Sequence, residues 1–155
     1  MSSSESGFFT GIVISDGAIY ITDDNGMLYS LNAANGHSNW SYPAGSTQLS
    51  TPVIADGMVY VTDDSGTLHA ITAAGGTRVW THQAVSSGEI GPAVNGGKLY
   101  VSTGLALQAL DAKTGDAVWS YRPPYDPGAF VSTPAVANGL VFVGSTDDKL
   151  YAIRA

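Results

Sequence analysis

The sequence predicts an all-β chain, a β-propeller built of four-stranded antiparallel blades with four blades per chain. Three observations carry that expectation. A segment returns about every forty residues, apolar and polar residues alternate inside each copy, and turn-forming residues separate the runs.

The first run of each copy is the clearest. Gly17-Ala-Ile-Tyr-Ile-Thr-Asp-Asp-Asn-Gly26 returns as Gly57-Met-Val-Tyr-Val-Thr-Asp-Asp-Ser-Gly66, then more loosely as Gly97-Lys-Leu-Tyr-Val-Ser-Thr-Gly104 and Gly139-Leu-Val-Phe-Val-Gly-Ser145. Each continues into a second run, starting at Met27, Thr67, Ala106 and Lys149, in which every other residue is apolar. Period two means half-buried strands. A third element carries Trp40, Trp80 and Trp119, and a fourth holds Pro52-Val-Ile54, Pro92-Ala-Val94 or Pro134-Ala-Val136. Four strands per ~40 residues make one propeller blade. The division that follows is a polar leader over 1–9 and blades over about 10–48, 49–88, 89–129 and 130–155. The last copy reaches Ala155 where the others run on to Gly and Trp, so its outer strand is expected to be missing.

Turns agree with the division. Asp23-Asp-Asn-Gly26 and Asp63-Asp-Ser-Gly66 end in the Gly a hairpin needs for positive φ, and Asp can hydrogen-bond the turn backbone. No useful window shows a 3.6-residue period, and β-branched and aromatic residues fill the apolar runs.

Composition bounds the function. With 155 residues, 44% hydrophobic and 12% charged, the chain can bury a core. Eleven of its thirteen acids are Asp, a turn-favouring residue, so the net charge of −7 has a structural use. The six Lys and Arg are scattered, which leaves no basic stripe for nucleic acid or an anionic membrane. Without Cys there is no disulfide, thiolate metal site or thiol nucleophile. The first seven residues lack a basic region and an apolar region, and no apolar run approaches ~18 residues, so no membrane insertion is expected.

The segments ending in the three Trp are Ser30-Leu-Asn-Ala-Ala-Asn-Gly-His-Ser-Asn-Trp40, Ala70-Ile-Thr-Ala-Ala-Gly-Gly-Thr-Arg-Val-Trp80 and Ala109-Leu-Asp-Ala-Lys-Thr-Gly-Asp-Ala-Val-Trp119. They resemble the tryptophan-docking motif of pyrroloquinoline-quinone-type propeller repeats. The third copy carries the whole pattern, while Asn35 and Gly75 replace its Thr and Asn32 and Thr72 replace its Asp. The resemblance spans roughly 10–155 and implies that Trp40, Trp80 and Trp119 dock between neighbouring blades as structural residues. It implies rings of eight blades, so these four are expected to be half of one.

The related quinoprotein dehydrogenases would bring a calcium held by Glu, Asn and Asp, a base Asp and a disulfide between adjacent Cys. None of this transfers. There is no Cys, and Glu5 and Glu89 are the only Glu residues, in the leader and in a link. The expectation is therefore no enzyme, no cofactor and no metal. His37, His69 and His82 fall in different elements and are expected on the surface or on strand faces. The Asp pairs 23/24, 63/64 and 147/148 could attract hard cations, but turn chemistry explains them.

Tyr121-Arg-Pro-Pro-Tyr-Asp-Pro-Gly-Ala-Phe130 lengthens the third link and makes Arg122, Tyr125 and Asp126 the binding candidates, since Tyr and Arg on a stiff loop suit an interface. Three functions compete. One is a non-catalytic scaffold for protein or ligand binding, as in outer-membrane assembly lipoproteins and kinase sensor portions. Another is a fragment of a quinoprotein dehydrogenase with its catalytic residues elsewhere. The third is a self-assembling half-propeller. The expected partners are a second copy, closing an eight-bladed ring as a homodimer, and possibly a further protein. An extracytoplasmic place is favoured by the resemblance alone.

Overall fold

The computed structural model describes residues 11–45, 48–84, 90–123 and 128–155. Their regular structure is entirely antiparallel strand, gathered into four separate sheets. Blade 1 contains β1 (Val13–Ser15), β2 (Ala18–Thr22), β3 (Met27–Asn32) and β4 (Ser38–Pro43). Blade 2 contains β5 (Val53–Ala55), β6 (Met58–Thr62), β7 (Thr67–Thr72) and β8 (Arg78–Gln83). Blade 3 contains β9 (Ala93–Asn95), β10 (Lys98–Ser102), β11 (Leu107–Asp111) and β12 (Ala117–Tyr121). In blade 4 the described strands number three: β13 (Ala135–Ala137), β14 (Leu140–Gly144) and β15 (Leu150–Arg154).

Local chemistry sets these hairpins. Ser15 pairs with Ala18 across Asp16-Gly17, both at positive φ, which is the two-residue turn whose twist matches flanking strands. Asp56-Gly57, Gly96-Gly97 and Asn138-Gly139 do the same in the other blades. The second hairpin is tied by a carboxylate: Asp23 Oδ1 accepts from the Met27 N–H at 2.8 Å, and Asp63 Oδ1 from the Thr67 N–H at 2.7 Å. Between the third and fourth strands of blades 1 to 3 the register slips at Ser30/Leu31, Ala70/Ile71 and Ala109/Leu110. The slip is a bulge just before each Trp, and a bulge re-aims the side chain that follows it.

The core lies between blades. Tyr20 and Leu28 of blade 1 meet Val59, Val61 and Ile71 of blade 2. Tyr60 and Leu68 meet Leu99, Val101 and Leu110 in the same way, and Tyr100 and Leu107 meet Val141, Val143 and Ile153. At each of these three junctions the earlier blade thus contributes its tyrosine and the later blade an aliphatic face.

Candidate binding surface

The junctions between blades repeat one arrangement. Trp40 in β4 sits 6.0 Å from the Tyr20 ring and donates its Nε1–H to the Ala73 carbonyl of blade 2 at 2.9 Å. Trp80 sits 6.1 Å from Tyr60 and donates to the Ala112 carbonyl of blade 3 at 3.2 Å. Beneath each indole is a glycine with positive φ. A Cβ added to Gly76 would lie 2.7 Å from Trp40, and one added to Gly115 would lie 2.7 Å from Trp80. Only a residue without a side chain lets the ring approach so closely. Trp119 keeps the tyrosine partner, Tyr100, at 6.0 Å and packs on the cluster that includes Ala155.

A polar chain crosses the first junction. Tyr42 of β4 is 3.0 Å from His69 Nδ1, and His69 Nε2 is 3.1 Å from Asp63 Oδ2, all three residues being buried. Burial alone would push the Asp63 carboxyl up, but hydrogen bonds from Ser65, His69 and the Thr67 N–H outweigh it and hold the group below its ordinary value. His37 is exposed and His82 partly so, as surface residues would be, but His69 is only 4% exposed and lies between blades. Sequence reasoning missed this chain because its members are 6 and 27 residues apart, one in a turn and two on strands of different blades.

The two ends of the arc differ from its middle. Leu28, Leu68 and Leu107 are fully buried, whereas Leu150, at the same place in blade 4, is 71% exposed. Phe142, the counterpart of buried Tyr20, Tyr60 and Tyr100, is half-buried. At the other end Ile19, Ile21 and Leu31 are half-buried where Val59, Val61 and Ile71 are fully covered. Beside Trp40 lies an open cleft of about 480 Å³ lined by Asp16, Ser30, Asn39 and Tyr20 among others.

Of the residues the sequence singled out for binding, Arg122 is exposed just after β12, and Tyr125 and Asp126 lie outside the described residues. Among the described residues no three His, Cys, Asp or Glu converge as metal ligands. The Asp pairs are spent on turns: Asp23 also accepts from Asn25 and Tyr29, and Asp147 bonds Lys149 and Tyr151, which together with its neighbours lower its pKa to about 2. Among the described residues no helix is long and apolar enough to cross a membrane.

A repeated, symmetric set of blades stitched by indoles defines a propeller of the pyrroloquinoline-quinone repeat class. The family model described as outer membrane protein assembly factor BamB matches residues 2–90 and 64–155, and the chain belongs to that family. Among solved structures, BamB from Moraxella catarrhalis superposes with a TM-score of 0.81 at 24% identity, over 99% of this chain and 48% of that one. The quinohemoprotein alcohol dehydrogenase ADHIIG from Pseudomonas putida HK5 gives 0.73 at 21% identity, over 92% and 29%. The computationally designed Ika4 protein gives 0.78 at 10% identity, over 99% of this chain and 94% of that one. These likenesses are of fold. A comparison with curated proteins finds no match, and this chain spans about half the length of the BamB structure.

Proposed function

We propose that this chain is a non-catalytic propeller scaffold that closes an eight-bladed ring with a second copy of itself, the Trp side chains fastening blade to blade. The observation that carries the reading is the pair of open faces. Blade 4 offers Phe142 and the exposed Leu150, the aromatic type of face, and blade 1 offers Ile19, Ile21 and Leu31, the aliphatic type. Those two types are already joined at three junctions within the chain. Two arcs related by a two-fold axis would join them twice more and cover both ends, and contiguous apolar surface in water favours such closure.

Light scattering tests the assembly. The expected mass is about 32 kDa, twice the 16.0 kDa chain, and Leu150→Asp should return it to one chain by placing a carboxylate in the joint. A stable monomer of the unaltered chain at micromolar concentration would reject the ring. The absence of catalysis is tested by adding pyrroloquinoline quinone and calcium with an alcohol and a reducible dye. No dye reduction is expected, and turnover would instead establish a dehydrogenase fragment.

A further inference from the structure

We infer that the cleft between blades 1 and 2 binds an alkylammonium group, borne either by a small free amine or by a lysine side chain of another protein. Both blades have their four strands, so the site stands whether or not the ring closes. The cleft holds about 480 Å³, with Ala18, Tyr20 and Trp40 on the side of blade 1 and Gly57, Ala73 and Ala74 on the side of blade 2. Its polar groups are chiefly acceptors. Asp16 lines it, exposed, and among the described residues no Lys or Arg pairs with its carboxylate. Asn39 donates its Nδ2–H to Ser30 Oγ at 3.2 Å, so its amide oxygen is the end left to meet a ligand. Burial raises the pKa of the Tyr20 hydroxyl and the Asp16 charge raises it further, against a hydrogen bond with Ser30, so the field of the carboxylate reaches the cleft wall.

The other junctions show what this one has changed. Ala18 opens β2 where Met58 opens β6 and Lys98 opens β10. Met58 packs against the core of the second junction with Tyr60 and Ala112, whereas the methyl of Ala18 leaves that space open. Ser30 and Asn39 stand where blade 2 has Ala70 and Val79, which adds a hydroxyl and an amide. Ala74 follows Ala73 where Lys113 follows Ala112. The equivalent positions around the second and third junctions therefore include a lysine of the chain's own, Lys113 and Lys98, and those around the first include none. A cleft that has lost bulk and positive charge and gained oxygen acceptors selects a cation on an apolar stem. The Trp40 and Tyr20 rings favour the same occupant, since the electron-rich face of an aromatic ring attracts an ammonium. The net charge of −7 draws cations toward the chain. An anionic ligand would instead meet Asp16 with no basic residue in the lining to offset it.

The probe is n-butylammonium, with n-butanol as its uncharged counterpart, titrated into the full chain at low salt. Binding is followed by the Trp40 indole and Ala74 amide signals in proton–nitrogen correlation spectra. The expected result is a saturable shift in the millimolar range that is at least about fivefold weaker for butanol. Asp16→Asn keeps the turn, because Asn tolerates the positive φ of 49° there, and should weaken butylammonium about fivefold. Ala18→Met should fill the cleft as Met58 does and abolish the shifts, with the melting temperature little changed. Nα-acetyl-lysine amide separates the two sources. Binding as tight as that of butylammonium assigns a protein lysine, and weaker binding assigns a free amine, both of which keep the ammonium. Equal binding of butanol, or binding indifferent to Asp16→Asn, overturns the ammonium. Shifts that survive Ala18→Met overturn the cleft as the place of binding, and the absence of any saturable shift in the unaltered chain overturns the site altogether.

Discussion

Blades 2 and 3 face each other across a finished junction, whereas blade 1 and blade 4 present the two unmatched halves of one. The residues are nearly the same in kind. Leu68 is wholly covered by Leu99, Val101 and Leu110, and Leu150 occupies the same register with most of its surface in solvent. Trp80 has both a glycine seat and a carbonyl acceptor, and Gly36 is a seat with no indole upon it. The repeat therefore specifies each blade's interior by itself, but it specifies stability only where a neighbouring blade arrives. In a chain of stacked units the energy resides in the interfaces as much as in the units.

The sharpest way to break that comparison is to truncate equivalent residues. Leu68→Ala should cost about 3 kcal/mol, since a fully enclosed leucine leaves a cavity, and Trp80→Ala should cost a similar ~3 kcal/mol, the lower end for aromatic truncation because the ring edge meets solvent. Leu150→Ala should change chain stability by less than ~0.5 kcal/mol in the monomer, as surface changes do. Urea melts read all three, with samples dilute enough to suppress assembly. Equal losses at Leu68 and Leu150 would mean that blade 4 is covered within the single chain.

A smaller difference sharpens the same point at the glycines. Gly36→Ala and Gly115→Ala both place a side chain at φ near +75°, so each bears the left-handed penalty of ~1 to 2 kcal/mol. At Gly115 the new methyl would also lie 2.7 Å from the Trp80 ring, adding roughly 1 kcal/mol or more of overpacking. The comparison of the two melts isolates the indole seat. Matching losses would show that the ring moves aside freely.

The sequence makes the architecture legible because a period of about forty residues, alternation and Asp–Gly turns all point to the same blade. The docking of each Trp is an expectation of the family resemblance alone, because the bulge before it leaves no mark in the alternation of the sequence. The site is less legible for a different reason. Leu150 and Leu68 look alike in sequence, and only the arrival or absence of the next blade separates them. His69 reads as an ordinary strand residue because its partners come from a distant strand and a turn. The expected trio at the third link depends on loop placement, which no periodicity constrains.

A last expected effect concerns the polar chain of the first junction, which joins Tyr42, His69 and Asp63 across two blades. Asp63 has its folded pKa below the unfolded value, burial raising it less than Ser65, His69 and the Thr67 N–H lower it. A depressed carboxylate stabilises the fold fully above its unfolded pKa, near 4, and that contribution is lost as pH falls toward the folded value. Asp111 and Asp147 are shifted the same way, so the whole chain should lose stability in that acid range. Asp63→Asn should cost about 1 kcal/mol at neutral pH, because the amide replaces a charge-assisted acceptor with a weaker one facing His69 and two further donors. It should also flatten the acid slope without abolishing it. Urea melts between pH 7 and pH 3 give both quantities. A slope unchanged by Asp63→Asn would show that the buried carboxylate contributes nothing to the acid sensitivity of the junction, and the hydrogen bonds among Tyr42, His69 and Asp63 would then serve alignment of the two blades rather than their stability.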